Sequence, residues 1–231
     1  GGKGTRLGGE QEKPLVTVAG TPMIDRVCDA LHASRVDDVY AAVSPHAPET
    51  RDHLRDAAPA ATVVETSGDG YVADLTAALS RIGRPALTVA ADLPLLAPDP
   101  VDRALEAADG ALVVAVPVSL KRRLGASVDT TVDYEGPALA PTGLNVVAGT
   151  DDDVYVSDDP RLAVNVNRPT DLWVAEALGW RGSSSSRERR RRRGSTGSAP
   201  RAPTPTWWHT PRAPTPNCSN TVSSSARRAS R

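Results

Sequence analysis

Four short apolar runs punctuate the first 120 residues: VDDVYAAV at 36–43, ATVVET at 61–66, PALTVAA at 85–91 and GALVVAVPV at 110–118. Each is rich in Val and Ala and bounded by Gly, Pro, Asp or Ser, the marks of short buried strands. Between them the apolar spacing changes to that of amphipathic helices, over residues 22–34, 48–57, 72–82 and 100–108. Thr21 before Pro22 and Asp99 before Pro100 predict N-caps followed by Pro at the first helical position. The stretch LAVNVNRPTDLWVAEALG at 162–179 predicts a strand, a Pro-initiated turn and a last helix in which Leu172, Val174, Ala175 and Leu178 share a face. Strand and helix in alternation predict a parallel sheet covered on both faces.

The pattern stops near Gly182, and charge changes with it. Eleven of the 27 Lys plus Arg, but one of the 28 Asp plus Glu, fall in residues 182–231; the first 181 residues are left with 16 against 27, a net −11. The near-neutral total is a cancellation. The body holds three lysines, at positions 3, 13 and 121, and the chain has no Phe. An acidic, lysine-poor surface predicts a salt-loving source, with a high-GC genome as the plainer alternative. The division expected is a domain over 1–181 and a low-complexity basic tail over 182–231. That tail, with its RERRRRR run and repeated APTP motifs, cannot bury a core. A nucleic-acid-binding arm, a solvated linker and translation in a wrong frame all suit its composition; it is assigned no function, and nucleic acid is not an expected partner. No run approaches the roughly 20 apolar residues of a membrane span, and Cys28 and Cys218 have no metal or disulfide spacing, so a cytoplasmic protein is expected.

The chemistry begins at the first residue. In GGKGTRL, Gly1, Gly2 and Gly4 present backbone N–H groups that phosphate oxygens can approach, Thr5 adds a hydroxyl, and Arg6 a planar donor fork. Lys3 lies within the turn, and Lys13, beside Pro14, supplies an ammonium seven residues after Arg6. The spacing is neither that of a P-loop nor G-x-G-x-x-G. Such a turn ordinarily follows a buried strand, so a first strand upstream of Gly1 is expected, together with instability of the chain without it.

Three further segments carry candidates. Asp92 follows the run PALTVAA, at the carboxyl end of a strand, where ligands bind in open α/β sheets; alone it could equally cap a helix. In NVNRPTDL, strand alternation puts Asn165 and Asn167 on one face, although unaided the pair reads more naturally as a turn, and Asp171 as a structural first-turn carboxylate. Gly68 and Gly70 in TSGDGYVADL form a tight turn before a helix where a purine base could rest, and APTGLNVV brings Gly143 and Asn145. His46 reads as an exposed loop residue, while Lys121, Arg122 and Arg123 suit either an anionic acceptor or a solvated loop.

G-G-x-G-T-R-L followed by K-P resembles the signature of the superfamily of molybdenum cofactor guanylyltransferases and sugar-phosphate nucleotidylyltransferases. The resemblance covers residues 1–180 and implies a Rossmann-like three-layer α/β sandwich with a mostly parallel sheet. It implies that Gly1, Gly2, Lys3, Gly4, Thr5, Arg6 and Lys13 wrap the phosphates of an NTP, with Gly68 and Gly70 under its base. It further implies that Asp92 and Asn167, or else Asn165, hold Mg²⁺, with Arg6, Lys13 and Asp92 catalytic. With PMIDRV, AVSPHAPET and the closing N-V-N, the chain is most similar to archaeal guanylyltransferases acting on adenosylcobinamide phosphate. GTP and adenosylcobinamide phosphate, or another phosphorylated acceptor, are then the expected substrates, Gly143 and Asn145 lie on the acceptor side, and a homodimer is compatible. A GTP- or nucleic-acid-binding protein without turnover is the competing class.

Overall fold

The computed structural model describes residues 11–56, 61–132, 136–149 and 152–179. The loop residues Gly1, Gly2, Lys3, Gly4, Thr5 and Arg6, and everything from residue 180 onward, lie outside them.

The described chain opens with a 3₁₀ turn, Lys13–Leu15, and a hairpin of β1 (Thr17–Val18) and β2 (Thr21–Pro22). Ala19 and Gly20 both have positive φ, 50° and 81°, the signs a two-residue turn of the primed type requires. Then follow α1 (Met23–His32), β3 (Tyr40–Val43), α2 (Pro48–Asp56), β4 (Thr62–Glu65), α3 (Tyr71–Ile82), β5 (Ala86–Val89) and α4 (Pro98–Ala107). The remainder is β6 (Ala111–Pro117), α5 (Val118–Leu124), β7 (Leu139–Val147), β8 (Asp152–Val156) and α6 over residues 169–179.

Strands β3 and β4 pair in parallel, and a second group runs β5-β7-β6-β8. Strands β6 and β8 are parallel, and β7 is antiparallel to both β5 and β6, so the sheet is mixed, with β7 its reversed strand. Among the described residues β3 and β5 are not hydrogen-bonded to each other, and every residue of β5 remains partly exposed, unlike the buried run of β6.

The main core lies where α1 and α4 meet the β5-β7-β6-β8 sheet: Val27, Val101 and Ala104 pack with Leu112, Val114 and Leu144. A second cluster seats α6 through Ala175 against Val18, Met23, Val164 and Val166. A third joins Leu15, Ile24, Cys28, Val43 and Leu54, with Ala91 packed against it. That cluster fixes both the Lys13 turn and the end of β5.

Local expectations differ from the structure in three places. Thr21 does not cap a helix: it pairs with Val18 in the hairpin, and α1 starts at Met23 with no side-chain cap. Likewise α4 starts at Pro98 after Ala97, leaving Asp99 in the first turn, where its carboxylate binds Arg161. Residues 165–167 form no strand; their place is held by the bond from Val166 N to Asp92 O, 2.9 Å.

Candidate active site

The route to the site begins with Leu15. Its burial pins the 3₁₀ turn that starts at Lys13, and Pro14 fixes φ at the second position of that turn. On the entering side Glu12 accepts bonds from Glu49 N (2.9 Å), Thr50 N (2.8 Å) and Thr50 Oγ1 (2.6 Å), so the carboxylate holds the first turn of α2. Lys13 therefore projects from a segment tied at both ends. Its Nζ donates to Asp92 Oδ2 at 2.6 Å and to Asn167 Oδ1 at 2.7 Å.

Asp92 stands three residues past the end of β5, in a short loop secured by Val166 N and by the buried Leu93. Its other oxygen, Oδ1, accepts from Asn165 Nδ2 at 3.1 Å. Lys13 and Asp92 side chains are 21 % and 20 % exposed, so the pair is sheltered yet reachable from solvent. The sequence placed Lys13, Asp92, Asn165 and Asn167 in one site from positions up to 154 apart, and the fold brings the four into a continuous hydrogen-bonded group.

Asn165 and Asn167 do different things. Asn167 turns its oxygen toward Lys13 and its nitrogen to Asp129 Oδ2 at 3.0 Å. Asn165 gives its nitrogen to Asp92 and to Thr142 O (2.8 Å), and its oxygen faces Lys121 Nζ at 3.2 Å. An ammonium only donates, so the amide cannot be drawn the other way round. The fallback reading of Asn165 as a metal ligand is corrected on this ground: no oxygen of its side chain faces the space beside Asp92. Asp171 is fully buried and accepts from Ser127 N, Ser127 Oγ, Asn167 N and Arg168 N, so it anchors the loop carrying Asn167 at the start of α6.

Lys121 lines neither a solvated loop nor an open acceptor surface. It lies in α5, 4 % exposed, and donates to Ala163 O at 2.9 Å as well as to Asn165. Burial pulls its pKa below the ordinary lysine value, against the attraction of Asp171, Asp129 and Asp92. Arg122 and Arg123, on the same helix, are exposed.

The glycines divide in the same way. Gly143 has φ +85° and sits where the β6–β7 register shifts; a Cβ there would stand 2.7 Å from that of Ala90. Thr142, fully buried beside it, bonds Val114 O at 2.8 Å and receives Leu144 N at 3.1 Å, closing the ladder that the bulge opens. The bulge presents Thr142 O to Asn165, so Gly143 shapes the site from beneath. Asn145 is in register with Thr88 and Val113 inside the sheet, and no hydrogen bond among the described residues joins its side chain to the Lys13 group. Gly68 and Gly70 have φ of 80° and 119° and lead into α3; a Cβ on Gly68 would come 3.1 Å from Pro45 and 3.2 Å from the His46 ring. At the mouth of that turn the buried Thr66 Oγ1 has no hydrogen-bond partner, a feature no spacing in the sequence could announce.

No group of three His, Cys, Asp or Glu able to hold a metal exists among the described residues. What converges instead is one carboxylate oxygen, one amide oxygen and an ammonium between them. That donor set does not cage a metal; it suits a hard divalent cation that keeps its waters and takes most of its ligands from phosphate.

Comparison with known proteins identifies the family. Residues 1–210 match the model of the MobA-like NTP transferase domain. The chain belongs to that family and is a nucleotidyltransferase with the α/β fold of its relatives. Among curated proteins it is similar to the adenosylcobinamide-phosphate guanylyltransferase of Methanocaldococcus jannaschii, 32 % identical over 190 residues, covering 77 % of this chain and 93 % of that one. Solved structures share the fold at lower identity. A hypothetical transferase from Thermus thermophilus has TM-score 0.54 at 19 % identity, over 70 % of this chain and 90 % of its own. 4-Diphosphocytidyl-2C-methyl-D-erythritol synthase has 0.56 at 22 %, over 72 % and 92 %. CMP:2-keto-3-deoxy-manno-octonic acid synthetase, complexed with CTP, has 0.55 at 14 %, over 77 % and 96 %. No helix among the described residues is long and apolar enough to cross a membrane.

Proposed function

We propose that the protein transfers GMP from GTP to adenosylcobinamide phosphate, giving adenosylcobinamide-GDP and pyrophosphate, a step of cobamide synthesis. The observation that carries the site is Lys13 bridging Asp92 Oδ2 and Asn167 Oδ1 at 2.6 and 2.7 Å. The choice of donor and acceptor is supported by the likeness to the M. jannaschii enzyme.

In this reading the loop from Gly1 to Arg6 wraps the triphosphate with its N–H groups, and the turn at Gly68 and Gly70 receives the guanine. Asp92 Oδ2 and Asn167 Oδ1 would hold Mg²⁺, which supplies positive charge to the phosphate oxygens. Lys13 Nζ lies between those same two oxygens, and with nucleotide bound its ammonium would neutralise charge on the leaving pyrophosphate. An oxygen of the acceptor phosphate attacks the α-phosphorus in line. The bond from that phosphorus to the α,β-bridging oxygen breaks, and the electron pair leaves on pyrophosphate. The acceptor phosphate is already an anion near neutral pH, so no general base is needed, and positioning and charge neutralisation by Lys13 and Arg6 carry the step.

The test is an acceptor panel. With GTP and Mg²⁺, adenosylcobinamide phosphate should support pyrophosphate release, while molybdopterin and sugar 1-phosphates should not. Turnover with one of the latter alone would keep the nucleotidyltransferase and replace the acceptor.

A further inference from the structure

Lys121 holds a charge in an expensive place. Its Nζ is enclosed by the fold, its two hydrogen-bond acceptors are the neutral Ala163 O and Asn165 Oδ1, and no carboxylate among the described residues lies within ion-pair distance of it. A Met or Leu would fill the same volume without the desolvation cost. The ammonium must therefore do something that an apolar side chain cannot. Its contact with Asn165 shows what that is. A terminal amide can be turned over about its last bond, exchanging donor and acceptor. With Lys121 present, the oxygen is fixed on the lysine side, and the Asn165 nitrogen is delivered to Asp92 Oδ1 and Thr142 O, 3.1 and 2.8 Å away.

We propose that Lys121 is a positioning residue of the nucleotide site: by fixing the orientation of Asn165 it ties down Asp92 Oδ1 and leaves Oδ2 aimed at the cation and Lys13. Without it, the Asn165 oxygen loses its donor, and only the two bonds from its nitrogen to Thr142 O and Asp92 Oδ1 still hold the amide. Asp92 then loses its aim. Arg122 and Arg123, exposed on the same helix, cannot substitute, because they do not reach Asn165. The proposal rests on the reading that Asp92 holds the cation.

The experiment measures Mn²⁺ affinity in the presence of GTP by electron paramagnetic resonance, on the full chain and without acceptor. Lys121→Met is expected to weaken Mn²⁺ by about tenfold, the loss typical when a group that orients a ligand is removed. Asn165→Ala should lose a similar factor, and the double variant no more than Asn165→Ala alone, because the lysine acts through that amide. Lys121→Gln keeps an N–H donor for Asn165 without the charge and should recover most of the loss. Multiplied losses in the double variant, or a Gln variant as weak as the Met variant, would overturn the proposal. Should Lys121→Met not fold, the contrast between Lys121→Gln near wild type and Asn165→Ala tenfold weaker carries the test. Asp92→Ala separates the two levels. If it leaves Mn²⁺ binding intact, the cation reading fails and the role of Lys121 with it. If it abolishes binding while the double-variant losses multiply, only the role of Lys121 fails.

Discussion

Two charge clusters of this molecule use similar bonds to opposite ends. Beside the 3₁₀ turn at Pro160, Arg161 binds Asp99 and Asp159 with bonds of 2.6–3.2 Å, and Arg103 binds the same two carboxylates at 3.0 and 2.8 Å. Two guanidiniums meet two carboxylates, and every charge has its match. Beyond the end of β5, Lys13 alone binds the carboxylate of Asp92, while Lys121 reaches it only through the Asn165 amide and Asn167 links Lys13 to Asp129. The matched cluster has nothing left to offer a ligand. In the other, the acceptor oxygens Asp92 Oδ2 and Asn167 Oδ1 are both held by the single ammonium of Lys13, and the Lys13–Asp92 pair stays about one-fifth exposed, open to a ligand.

Substitutions should divide along that line. The largest effect is expected from Asp92→Ala, which should lower acceptor-dependent pyrophosphate release by about 10²–10³-fold, the size of removing a principal charge-stabilising group, while moving the melting temperature little. A comparable fall in stability would place Asp92 with the structural carboxylates. Lys13→Met should follow, at about a hundredfold in kcat/KM. It should also tighten binding of Mn²⁺ without nucleotide, because the ammonium no longer stands between the two oxygens. Weaker or equal Mn²⁺ binding would show that Lys13 does not compete for that space.

The smallest effect belongs to the matched cluster. Hydrogen bonding from Arg161 lowers the pKa of Asp99; at Asp159 burial acts upward, but the bonds and charge of Arg161 outweigh it and the pKa is lowered there too. A carboxylate with a lowered folded-state pKa adds stability above its unfolded value, and that stability is lost as pH falls through the folded value. Arg161→Ala should therefore cost no more than about 1 kcal/mol at pH 7, because Arg161 and Asp99 are exposed and the sheltered Asp159 keeps its bond to Arg103, and should flatten the loss of stability below about pH 4. Urea midpoints at pH 7, 4 and 3 measure it. Turnover should be unaffected.

How much of this was legible in the sequence follows from how local each signal is. The four runs of strand type, the helices between them and the last helix were readable because burial imposes a period. Strand β8, hidden in the acidic segment DDVYV, was not, since its apolar positions are too few to mark a period and its place is set by parallel pairing with β6. Lys13, Asp92 and Asn167 were legible through the motifs around them. The different fates of Asn165 and Lys121 were not, because they depend on a bulge in β7 and on which end of an amide meets an ammonium. Thr66 was invisible for a related reason: a missing partner leaves no trace in spacing. The phosphate loop from Gly1 to Arg6 remains an expectation carried by its motif.

The central claim is tested most directly by following label. The full chain, incubated with Mg²⁺, adenosylcobinamide phosphate and GTP labelled at the α-phosphate, should move the label into adenosylcobinamide-GDP with one pyrophosphate released for each, and Asp92→Ala should slow that transfer by about 10²–10³-fold. Pyrophosphate release without label in the cobinamide product, or label transfer at an undiminished rate in Asp92→Ala, would contradict the account.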